Sequence, residues 1–140
     1  MLLLLLSLPT MRVELKEKLA PLRNTHDILV YLPENISQGF TQLSKLPLDG
    51  VTIGNPASHI DVLIPPLSGH TTYSGHPLAT INNDKKRAET LRFFRLQKSD
   101  ASLWFKSNNI HYVIFTRYDG NKEQFTKTYP FLRSVYTNPD

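Results

Sequence analysis

The chain has 140 residues, 16 Lys and Arg against 12 Asp and Glu for a formal charge of +4, with 40% hydrophobic, 10% aromatic and 20% charged residues. This length fits one domain, and the composition excludes long disorder and collagen-like or low-complexity classes. The lack of cysteine excludes disulfides, thiolate catalysis, Cys-ligated zinc and iron–sulfur clusters, and so mild a positive charge lacks the dense cationic stripe of a dedicated nucleic-acid binder.

The chain opens with an apolar run through Leu8 stopped by Pro9. It is shorter than the roughly 20 residues a membrane span needs, and it lacks the basic n-region and cleavage site of a signal peptide. Residues 1–9 therefore read as the outgoing end of a truncated transmembrane helix, with a buried helix or frayed terminus as the alternative. Residues 10–27, with Glu14, Lys16, Glu17, Lys18 and Pro21, read as a linker, and residues 28–140 as one domain.

Pro33-Glu34 has the form of a helix start, and Ile36, Phe40, Leu43 and Leu46 then make one apolar stripe up to Pro47. Residues 51–53 predict a buried strand closed by Gly54, Asn55 and Pro56. A short helix with Ile60, Leu63 and Ile64 is expected to stop at Pro65 and Pro66, followed by a second strand at 71–73. Asn82 or Asn83 caps a helix from 84 to about 97 whose inner face is Ala88, Leu91 and Phe94, with Phe93 alongside. Ser99 or Asp100 caps a further helix with Leu103, Trp104 and Phe105 apolar, ending at Asn108-Asn109. Residues 112–116 form the strongest predicted strand, residues 125–132 read as irregular or briefly helical, and residues 134–137 as a fourth strand.

This alternation predicts an α/β fold with a small, mainly parallel sheet of about four strands and helices on both faces, a Rossmann-like three-layer sandwich. Ligands of such sheets lie at the carboxyl ends of the strands, here Asn55, the 74–76 segment and Asp119.

The segment 69–80 carries most of the chemistry. Gly69 and Gly75 permit unusual backbone angles or close ligand approach, and His76 and Thr80 can bond a phosphate, carboxylate or sugar hydroxyl, or simply tie the loop to its own backbone. Lys85, Lys86 and Arg87 stand in the first turn of the following helix, where the dipole disfavours cations by about 0.3–1 kcal/mol each. A bound anion, such as a phosphate or lipid headgroup, offsets that cost; a solvated face near Asp84 and Glu89 is the plainer reading. The five histidines show no metal-ligand spacing, so no metal and no cofactor are expected. His76 with Asp119, or His59 with Asp61, could form an acid/base pair only if the fold brings them together. No nucleophile elbow, P-loop or dinucleotide fingerprint occurs, and Asn35-Ile36-Ser37 matches a glycosylation triplet frequent by chance.

Taken together, Gly69, Tyr73, Gly75, His76, Thr80, Lys85 or Lys86, Phe93-Phe94 and the hydrophobic segment 109–114 resemble the soluble C-terminal region of bacterial polytopic membrane glycosyltransferase-like proteins, the multi-spanning class that uses lipid-phosphate sugars. The resemblance spans residues 28–137. It implies an extracytoplasmic accessory domain of a protein in the bacterial cell membrane, packed on its membrane portion and assisting glycan or lipid-phosphate-sugar handling. With the strand ends added, the candidate ligand-contacting set is Asn55, Tyr73, Gly75, His76, Thr80, Lys85, Lys86 and Asp119. The catalytic acid of such enzymes lies near their first membrane helix, so this chain is not expected to turn over substrate alone. The residues by themselves also allow a self-contained α/β module that binds a small anionic or nucleotide-like ligand, or a free-standing hydrolase built on His76 and Asp119.

Overall fold

The computed structural model describes residues 31–138. The helix end expected at 1–9 and the linker at 10–27 lie outside the described residues, and no helix among the described residues is long and apolar enough to cross a membrane. Helix α1 (Glu34–Leu43) begins at Pro33, whose fixed φ of −58° suits a helix entry, and buries Ile36, Phe40 and Leu43. It ends earlier than Pro47 would require, and Leu46 closes a turn on the Leu43 carbonyl at 2.9 Å.

The protein is α/β, with a small open sheet in which every strand is parallel. Strand β1 (Val51–Ile53) lies at the centre, with β2 (Thr71–Thr72) on one side and β3 (Ile110–Val113) on the other. Alternation along β1 sends Ile53 to the aromatic core and Thr52 to the opposite face. There the buried His70 bridges Thr52 Oγ1 (3.4 Å) and the Leu43 carbonyl at the end of α1 (2.9 Å). A carbonyl can only accept, so Nε2 of His70 carries the proton of that bond.

Helix α2 (Ile60–Ser68) connects β1 to β2 and runs through Pro65 and Pro66, where the sequence predicts a stop. The two prolines forfeit their own N–H bonds, but the last turn is held from outside the ladder. Ser68 Oγ donates to the Ile64 carbonyl at 2.7 Å, Gly69 N donates to the Pro65 carbonyl at 3.0 Å, and Gly69 closes the helix at φ +75°. Ile60 and Ile64, both fully buried, anchor the turns that precede the prolines.

Helices α3 (Asn83–Phe94) and α4 (Ala101–Ser107) lead into β3, and α5 (Lys122–Thr128) follows it. The inner face of α3 differs from the apolar expectation. Asn83, Thr90, Phe93 and Phe94 are buried while Ala88 is exposed, because the first half of the helix turns a polar face to the sheet edge. On α4, Ala101, Trp104 and Phe105 are buried but Leu103 faces solvent. Asn109, left-handed at φ +52°, turns the chain directly into β3, which therefore starts at Ile110 rather than 112.

The fourth strand expected at 134–137 is absent. Those residues are exposed and make no ladder; Ser134 and Thr137 bond each other at 2.9 Å, and Lys122 reaches Thr137 at 3.0 Å. Among the described residues the sheet thus has three strands, and the tail lies along helix ends.

Candidate functional site

Of the eight residues singled out from the sequence, seven fall into three separate places and Lys85 stands apart. Asn55 and Asp119 meet where β1 and β3 end. Asn55 Nδ2 donates to Asp119 Oδ1 at 2.7 Å, while Asn55 Oδ1 accepts from Ala57 N at 2.9 Å and so caps the 3-10 turn Pro56–Ser58. The other oxygen of Asp119 accepts from Thr116 N (2.6 Å) and Thr116 Oγ1 (2.8 Å), one half of a capping box around the 3-10 turn Arg117–Asp119. Ser58 Oγ adds a contact at 3.4 Å. Both oxygens of Asp119 are thus engaged in joining two loops, and His76 is not among their partners. Asp119→Ala is expected to cost about 1–3 kcal/mol, since it removes the cap and leaves the Asn55 amide unmatched. Urea unfolding would read this as a lower midpoint at constant slope.

Tyr73 and Lys86 belong to a second cluster. The Tyr73 hydroxyl donates to Glu89 Oε2 at 2.6 Å and accepts from Trp104 Nε1 at 3.3 Å, and Lys86 Nζ lies 5.2 Å from the Tyr73 ring centroid. Burial, reinforced by the Glu89 bond, holds the Tyr73 phenol above its usual pKa, so it stays a donor. This cluster seats α3 and α4 on the sheet. Lys85 is exposed on the first turn of α3, apart from both groups.

Gly75, His76 and Thr80 do come together, in an open cleft of about 520 Å³ along the free edge of β2. One wall is α2 with Val62, Pro65 and Pro66, the floor is residues 69–72, and the far wall is the turn carrying Gly75, His76, Ala79 and Thr80. The turn is fixed by Ala79 N and Thr80 N donating to the His76 carbonyl at 3.0 and 3.1 Å. Leu78 N donates to His76 Nδ1 at 3.3 Å, leaving Nε2 as the ring nitrogen available to a ligand. Gly75 is required by space and not by φ: a Cβ there would stand 2.8 Å from Thr72 Cγ2.

The polar groups of the cleft are largely backbone. In α2, Pro65 and Pro66 offer no N–H to the carbonyls of Asp61 and Val62, four residues earlier. The Asp61 carbonyl lies 3.9 Å from where a Gly75 Cβ would be. Because Tyr73 N bonds the Thr52 carbonyl at 3.1 Å, the parallel ladder turns the N–H and C=O of Thr72 away from β1, toward the cleft floor. Among the described residues, neither Lys, Arg, Asp nor Glu lines it. The arrangement offers acceptors, a few neutral donors and apolar proline surface, which suits an uncharged partner rich in hydroxyl or amide groups.

The most constrained polar group of this edge was not legible as such in the sequence. Asp61 is fully buried, accepting from Ser74 Oγ (3.1 Å), Arg87 Nη1 (3.2 Å) and Val62 N (3.0 Å). Arg87 also donates to the Pro56 carbonyl at 3.2 Å. Its guanidinium therefore ties α3 to α2 and to the end of β1, where the sequence suggests a solvated basic face; Lys85–Lys86–Arg87 is not one anion site. Nearby, Gly75 N donates to Asn83 Oδ1 at 3.2 Å, and Asn83 Nδ2 is a buried donor with no partner among the described residues. No cluster of three or more potential metal ligands occurs among the described residues. Compared with protein-family models, curated proteins and solved structures, the chain finds no match.

Proposed function

We propose that this is a non-catalytic binding domain whose cleft between α2 and the His76 turn holds an uncharged, hydroxyl-rich group such as a sugar residue. The proposal includes an accessory role for the domain, serving a membrane-embedded glycosyltransferase-like parent on the extracytoplasmic side of a bacterial membrane. The observation that carries the reading is the cleft itself: Gly75, His76 and Thr80 line it opposite Pro65 and Pro66, the outward N–H and C=O of Thr72 lie on its floor, and among the described residues no charged side chain lines it. Carbonyl acceptors match ligand hydroxyl donors, whereas a phosphate would meet acceptors without a compensating cation. The engagement of Asp119 with Thr116 and Asn55 counts against a hydrolase built on His76 and Asp119, since a general base needs the proton-bearing partner within hydrogen-bond reach.

Thermal melting of the 140-residue chain against neutral mono- and oligosaccharides, inorganic phosphate, nucleotides and sugar nucleotides tests the reading. A ligand at 100 times its Kd stabilises by about 2.7 kcal/mol, a clear rise in Tm. Neutral saccharides are expected to give that rise, and His76→Ala or Thr80→Val to weaken binding roughly three- to tenfold, the worth of one neutral hydrogen bond. A rise with phosphate or nucleotides alone would favour the anionic-ligand module instead and would direct attention to Lys85. No rise with any of them would remove the cleft as a small-ligand site.

A further inference from the structure

The turn that forms one wall of the cleft also carries the most exposed apolar side chains of the described residues. Leu78 is 93% and Ile81 80% exposed, and Pro77 and Ala79 beside them are exposed as well. Single exposed leucines are ordinary on soluble surfaces. Here four of the five residues 77–81 are apolar and exposed, on a turn that is fixed and not frayed. The His76 carbonyl accepts two backbone bonds, and Asn82, left-handed at φ +55°, directs the chain into α3. The outer stripe of α3 continues from this tip as Lys85, Ala88 and Arg92, with Arg95 just past the helix end and the single acid Asp84 beside Ala88, all exposed. Spacings of three and four keep these on one helix face. Arg87, the cation consumed by the buried pair with Asp61, is not part of the stripe.

An apolar tip continuous with a cationic stripe matches one environment, the headgroup boundary of an anionic bilayer, where aliphatic side chains enter the acyl edge and cations meet lipid phosphates and carboxylates. We propose that residues 77–82 and the outer face of α3 dock on an anionic membrane surface, with Leu78 and Ile81 inserted and Lys85, Arg92 and Arg95 at headgroup level. The inference is independent of what the cleft binds. It would bring the cleft mouth, whose rim includes His76, Ala79 and Thr80, close to the lipid surface.

The chain has no cysteine, so a single Ala79→Cys carrying an environment-sensitive fluorophore reports this tip alone, and Ser102→Cys on the exposed side of α4 serves as the distant control. Phosphatidylcholine vesicles with and without phosphatidylserine are the probes. The expected result is a blue shift at position 79, and quenching by lipid-borne quenchers, only on phosphatidylserine vesicles and reversed by high salt, with position 102 unchanged. Leu78→Ser with Ile81→Ser is expected to abolish the shift while far-UV circular dichroism stays the same. Lys85→Gln and Arg92→Gln should each lower partitioning about fivefold, the worth of one interfacial cation. A fluorophore at 79 that stays in water although the protein sediments with vesicles would overturn the proposal, because another segment is then the anchor. A shift of equal size on phosphatidylcholine alone would overturn the role of anionic lipid. A shift that grows with protein concentration without vesicles would assign the tip to self-association, and no sedimentation with any vesicle would remove the membrane as partner.

Discussion

Phe93→Ala is expected to lower the unfolding free energy by about 3–5 kcal/mol, the range for deleting a buried aromatic ring from a packed core. Phe93 is fully buried and touches aromatic rings on every side. Ring centroids lie at 4.5 Å for Tyr129 (stacked), 5.2 Å for Phe105 and Phe125, 5.4 Å for Phe94 and 5.6 Å for Trp104. Truncation removes the transfer energy of the ring and strands five neighbours that cannot collapse together, because they come from α3, α4, α5 and the residue after α5. The Tyr129 hydroxyl would remain bonded to the Phe93 carbonyl, 2.9 Å away, so the loss measures packing and not a backbone bond. Denaturant titration and calorimetry check it, with a Tm drop on the order of 10 °C or more. A loss under about 1 kcal/mol would mean that the ring is not the keystone of the cluster.

How far this centre was legible in the sequence depends on the type of residue at each step. The Phe93-Phe94 pair, Trp104-Phe105 and the β-branched run of β1 declare themselves, because large apolar residues at strand or helix spacing have few places to go. The parallel α/β architecture followed from the same signals. The inward stripe of α3 did not, since it runs through Asn83, Arg87 and Thr90 before it reaches Phe94. Hydrophobic periodicity cannot detect a helix whose first half faces polar groups, and so it points Ala88 inward where the fold leaves it exposed. Pro65 and Pro66 misled for a related reason: local chemistry ends a helix there, but buried Ile60 and Ile64 and the Ser68 cap override it by tertiary packing. The fourth strand failed because residues 134–137 have strand propensity and no ladder to join.

The candidate site divided along similar lines. Gly75, His76 and Thr80 share one cleft, as their closeness in sequence suggests. Asn55 and Asp119 also meet, 64 residues apart, but as mutual caps. Side chains of the Asn, Asp and Thr type serve turns and ligands by the same hydrogen bonds, and only coordinates distinguish the two uses. Asp61 and Arg87 each drew notice in the sequence, Asp61 beside His59 and Arg87 in a basic run, but their pairing carried no signal because they stand 26 residues apart and only the crossover through β2 brings them together.

That pair carries the second large effect, and its sign depends on pH. Arg87→Met keeps the aliphatic stem but leaves a fully buried carboxylate, which breaking a buried ion pair makes costly. Because the Arg87 side chain is 28% exposed and partly screened, about 2–4 kcal/mol is expected at neutral pH, below the full range for enclosed pairs. Burial, only partly opposed by Arg87, Ser74 and the Val62 N–H, raises the Asp61 pKa above its ordinary value of 3.8. The folded state then holds its proton to higher pH than the unfolded chain does. The stability due to this group is fully present below about pH 4 and is lost as pH rises through the folded pKa. Removing Arg87 deletes a cation that lowers that pKa, so the window of loss extends upward. The deficit of Arg87→Met against the parent protein should therefore be smallest near pH 4 and grow toward neutrality. In Asp61→Asn with Arg87→Met, no buried charge remains, and the deficit should be smaller than in Arg87→Met and flat over the same interval. Urea titrations at about pH 4.5 and 7.5 decide it. An Arg87→Met deficit of equal size at both would show that the guanidinium holds α3 to the Pro56 carbonyl alone and that the Asp61 charge contributes nothing to the junction.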